Sequence, residues 1–204
     1  MLEAISISSL LLVIAMLRKI VNILPHVFRC ALRSKESTNL DSDVKSSQDR
    51  DITAAVLTIP FCLTISRYDI LNFRFAEGMS EVLYLGIVIA VFIAYLLFRI
   101  FTSKLFHPRR HRLSPRVKDR SERTFFVMLS ICTLTCSWIM STLNAEPEII
   151  RNTIIWISVA IYLLYLVRKF QIFTSYCSVF TSFLYLCALE IIPTGALVVT
   201  VVIF

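Results

Sequence analysis

Residues 124–145 read TFFVMLSICTLTCSWIMSTLNA, twenty-two positions without a single charge. At about 1.5 Å of rise per residue, such a helix crosses the roughly 30 Å hydrocarbon core of a bilayer. A soluble helix of that length keeps a charged face, so this run points to lipid rather than water.

Working outward, other uncharged runs repeat the pattern at 4–17, 52–66, 82–98 and 152–167. A final one from Phe170 to Phe204 is broken only by Glu190. Residues Arg168 to Cys177 mix charge, aromatics and hydroxyls as an interfacial segment does, which places the last span at 178–203. The fold class expected is all-α, a polytopic bundle of about six transmembrane helices forming one integral-membrane domain over 1–204. The first two runs are shorter than a bilayer, and snorkelling by Arg18, Lys19 and Arg67 is expected to supply the missing length.

The whole composition agrees. Of 204 residues, 57% are hydrophobic and 17% charged, and mean hydropathy is +0.75. Soluble domains carry about 25% charged residues. With three glycines and no Gly-rich phosphate loop, the usual nucleotide sites have no candidate. The first apolar run lacks a basic stretch before it and has Arg18-Lys19 after it, which fits a retained helix rather than a signal peptide.

Orientation follows from Lys and Arg in the connections. Seven lie in 18–51, nine in 99–123 and two in 168–177, against two in 67–81 and one in 146–151. The richer side is read as cytoplasmic, with both termini outside.

Segment 34–51, SKESTNLDSDVKSSQDRD, has almost no apolar residues and reads as a disordered cytoplasmic linker. Before it, apolar and basic residues alternate, read either as an amphipathic helix interrupted at Pro25 or as an extension of the first helix. The loop HPRRHRLSPRVKDRSER, 107–123, tests a nucleic-acid reading. It lacks stacking aromatics and contains Pro108 and Pro115. Arg109, Arg110, Arg112, Arg116 and Lys118 are instead read as a topogenic face for anionic lipid headgroups, and no nucleic acid is expected.

No catalytic signature is present, and no cofactor or metal is expected. His26, His107 and His111 all fall in connections, and the membrane cysteines Cys62, Cys132, Cys136 and Cys187 read as small apolar packing residues. Ser130 and Ser137 are expected to make helix–helix hydrogen bonds.

Glu190 stands apart. A carboxylate at the bilayer centre costs about 2.5 to 3.5 kcal/mol on insertion scales, so the expectation is a neutral acid donating a hydrogen bond. Cys187 and Thr194 share its helix face, and Pro193 is expected to kink the helix beside it. Glu190, Pro193, Cys187, Thr194 and Tyr185 form the candidate polar anchor or functional site.

Phe183 to Pro193, FLYLCALEIIP, resembles the C-terminal signature of an uncharacterised bacterial multi-pass membrane family, domain of unknown function 4271. The resemblance implies a bacterial inner-membrane location and lends no activity. Two roles follow from the sequence. One is an accessory or assembly component acting by helix–helix association, with another membrane protein or a second copy as partner; the other is a small transporter or proton-coupled carrier using Glu190.

Overall fold

The computed structural model describes residues 2–32, 44–71, 79–105, 115–174 and 178–203. Their helices are α1 (Leu2–Leu32), α2 (Val44–Arg67), α3 (Glu81–Leu105), α4 (Pro115–Thr142), α5 (Pro147–Thr174), α6 (Val179–Leu186) and α7 (Ile192–Ile203). A π-helical turn, Cys187–Ile191, joins the last two into one rod. The protein is all-α, with no strand among the described residues.

Local chemistry explains where the helices start and stop. Proline opens both α4 and α5, at the first helical position where its missing N–H leaves no bond unmade. Two helices close on left-handed residues, Asp69 (φ 46°) after α2 and Asn144 (φ 52°) after α4. Beyond α4, Ala145 N–H donates to the Met140 carbonyl and Asn144 N–H to the Ser141 carbonyl. The same pair of bonds closes α2, from Ile70 to Ile65 and from Asp69 to Ser66. Tyr84 then donates to the Asp69 carboxylate, tying the first turn of α3 to the end of α2.

Four helical segments are long and apolar enough to cross a membrane: Glu81–Thr102, Glu122–Thr142, Pro147–Thr174 and Val179–Val199. Their outward faces carry Leu97, Phe101, Trp138, Trp156 and Phe180, all largely exposed. So much uncovered apolar surface suits lipid as solvent and is costly in water. The chain is an integral membrane protein by this criterion.

Inside, α2 packs against α1, α3 and α4, and α4 also meets α1 and α5. The main core joins Ile20, Leu57, Phe125, Met128 and Tyr165 from four helices. Phe61, Phe92 and Phe126 form an aromatic cluster with ring centroids 5.4 to 6.4 Å apart. The C-terminal rod lies against α5 through α6 and against α3 through the π turn and α7.

The helices outrun the uncharged runs, and this changes several readings. Helix α1 passes through Pro25 to Leu32, so the basic stretch is an extension of the first helix. Helix α2 begins at Val44, inside the polar segment read as a linker. Its first turns are held by Asp49 to Lys19 of α1 (3.2 Å) and by Asp51 to Arg123 of α4. Residues 34–43 of that segment lie outside the described residues, as do Arg109, Arg110 and Arg112 and the side chains of Arg116 and Lys118. Helix α5 runs to Thr174, so Arg168 and Lys169 are helical residues rather than an interfacial connection. Ser130 is buried, but among the described residues its hydroxyl makes no hydrogen bond, contrary to the interhelical bond expected of it.

Candidate functional site

Three helices converge on Glu190 of the C-terminal rod. Helix α3 brings Arg99, α4 brings Glu122, and α5 brings Tyr162, Tyr165 and Lys169. On α5 the three residues are spaced i, i+3 and i+7, which sets them along one face.

Glu190 is 1% exposed and Lys169 4%, while Arg99 and Glu122 are 19% and 21%. The Glu190 carboxylate accepts from Arg99 Nη2 at 2.6 Å and from Tyr165 Oη at 3.0 Å, and it also takes the Lys169 ammonium. Glu122 Oε1 accepts from Lys169 Nζ at 2.8 Å and lies 3.0 Å from Arg99 Nη2. Two cations thus share two carboxylates, and the group is neutral as a whole. The cations also lie over the Tyr165 ring, at 5.0 Å for Lys169 and 5.7 Å for Arg99.

The Tyr165 hydroxyl is the common point. Its oxygen accepts from Arg99 Nη2 at 2.7 Å and Lys169 Nζ at 2.5 Å. Its one proton has two acceptors, Glu190 at 3.0 Å and Glu122 at 3.4 Å. Both lone pairs and the proton are therefore engaged.

Glu190 has charged neighbours that the uncharged runs did not reveal. Arg99, Glu122 and Lys169 all lie within segments of spanning length. Each stood outside an uncharged run and was counted with a connection.

The backbone at Glu190 has its own support. Ile192 N–H donates to the Cys187 carbonyl five residues back, which widens the turn by one residue. The extra residue lets Leu189 and Glu190 both face inward while Ile191 and Ile192 face out. The disruption expected near Pro193 takes this form, and the Pro193 ring is fully buried. Thr194 Oγ1 and Tyr162 Oη both bond the Glu190 carbonyl and lie 2.5 Å from each other.

Of the candidate residues, Glu190 and Thr194 are brought into the cluster through side chains, and Pro193 lies beside it. Cys187 contributes its carbonyl to the π turn, and its thiol is free. Tyr185 lies in α6, with its side chain outside the described residues. Sequence reasoning missed Arg99, Glu122, Tyr162, Tyr165 and Lys169. The readable signal was the helical spacing of Tyr162, Tyr165 and Lys169 next to a membrane carboxylate.

Comparisons with family models, curated proteins and solved structures find no match to this chain.

Proposed function

We propose that this chain is a six-span protein of a bacterial inner membrane, with both termini outside, acting as an accessory or assembly component through helix–helix association. The observation that carries this reading is the saturation of Glu190. Its carboxylate is engaged by Arg99, Lys169 and Tyr165 of the same chain, as befits a polar anchor that fixes helix register. Seven Lys and Arg in 18–51 and eight in 100–123, against two in 67–81 and one in 146–151, support the orientation. The FLYLCALEIIP resemblance to domain of unknown function 4271 supports the bacterial placement. Anionic lipid headgroups are the expected partners of Arg109, Arg110, Arg112, Arg116 and Lys118.

Purification in mild detergent, followed by native mass measurement, tests the association. A stable homo-oligomer or a stoichiometric membrane partner is the expected result, and a strictly monomeric protein overturns it.

A second reading, a small proton-coupled carrier, is favoured by one observation. The bonded groups run without a gap from partly exposed Glu122 to buried Glu190. Proteoliposome flux that survives Glu190→Gln removes that reading.

A further inference from the structure

We infer that Glu122, Tyr165 and Glu190 form a proton relay, with Glu122 as the outer acid and Glu190 as the buried proton site. The inference deepens the carrier reading, but the relay is tested apart from any flux.

Glu122 stands at the polar end of the bundle. Its neighbour Arg123, half exposed, pairs with Asp51 at the start of α2. Lys19 and Asp49 form a second partly exposed pair between α1 and α2. Titratable and charged groups from three helices face Glu190. Among the described residues these are Arg99 and Tyr95 from α3, Glu122 from α4, and Tyr162, Tyr165 and Lys169 from α5.

The geometry supplies each transfer. Hydronium at the polar end gives a proton to the Glu122 carboxylate and leaves as water. Glu122 then gives that proton to the Tyr165 oxygen as the Tyr165 O–H bond breaks and its proton bonds to Glu190 Oε1. The products are a Glu122 carboxylate, an intact phenol and a neutral Glu190, so one proton has moved inward and nothing is oxidised or reduced. The Tyr165 oxygen needs a free lone pair for this step. Lys169 supplies it by releasing the phenol, and it keeps Glu122 Oε1 at 2.8 Å as a partner.

Infrared difference spectroscopy of the full chain in zwitterionic nanodiscs, with pH jumped from about 8 to about 4, reads the relay directly through the carbonyl stretch of a protonated carboxylic acid. The expected result is a band component that is lost in Glu190→Gln and shifted in frequency in Glu190→Asp. In Tyr165→Phe and in Glu122→Gln the Glu190 component is expected to rise at least roughly tenfold more slowly, as the loss of a positioned proton donor implies. Size-exclusion profiles show which variants fold, and Glu190→Asp keeps the assignment testable where the glutamine variant does not. A Glu190 component absent from the native protein overturns the relay, as does an unchanged rise in both slowed variants. A band without proton-driven flux keeps the relay and removes the carrier; an oligomer without the band removes the relay and leaves the assembly reading standing.

Discussion

Glu190, Lys169 and Tyr165 set the energetics of this protein one side chain at a time. Removing one member of a buried ion pair leaves an uncompensated charge and costs about 3 to 5 kcal/mol. Glu190→Ala is therefore expected to lower the thermal midpoint in detergent sharply. Combining Glu190→Leu with Lys169→Met leaves Arg99 facing Glu122 as a balanced pair, and most of the loss should return. A double variant no more stable than Glu190→Ala contradicts the charge-balance account. Tyr162→Phe removes a hydroxyl from the Glu190 carbonyl and Thr194 and is expected to cost about 1 kcal/mol in the same assay. Glu190 was legible in the sequence because a carboxylate deep in an apolar run is costly enough to be noticed. Arg99 and Lys169 were not. A cation in the last turns of a membrane helix and a cation in the following loop have the same one-dimensional appearance, and only the third dimension separates them.

Among the helices, the stops and the π turn show where local chemistry decides geometry. Asn144 holds a left-handed conformation at the end of α4, one that a β-branched residue adopts at a cost of about 1 to 2 kcal/mol. Asn144→Gly should be neutral within error in thermal unfolding, while Asn144→Val should lose about that amount. The π turn carries one residue more than an α-helix of the same rise. Deleting Ala188 removes that extra residue and restores α geometry while the two halves of the C-terminal rod keep their register. The deletion is expected to destabilise less than Glu190→Ala, since Leu186 and Glu190 then stand three positions apart and both still face inward. Equal stability of deletion and parent shows the turn to be dispensable. Pro193 announced a disturbance in the sequence, because a ring without an N–H cannot sit in a regular helix interior. Its form was not legible, because a kink and a π turn answer the same proline, and packing against α3 and α5 chooses between them. Helix ends were misjudged for a related reason. Charges at 44–51 and 168–169 end an apolar run, but they do not end a helix whose polar groups find partners on α1, α4 and the C-terminal rod.

For the molecule as a whole, the all-α class was readable from composition and uncharged runs alone, since lipid admits few other spanning structures. Topology is checked by reporter fusions. Those after Asp43 and Pro115 are expected to read cytoplasmic and one at the C-terminus external, and an external reading at Pro115 overturns the orientation. The cluster charges come in a fixed order along the chain: positive at Arg99, negative at Glu122, positive at Lys169 and negative at Glu190. A ribosome making this chain therefore releases them in alternation. The sum over these four residues is +1 after α3, zero after α4, +1 after α5 and zero again once the C-terminal rod emerges. Each helical hairpin can then enter the bilayer as an electrically neutral package, and a nascent chain halted before its last rod carries one cation still waiting for its partner.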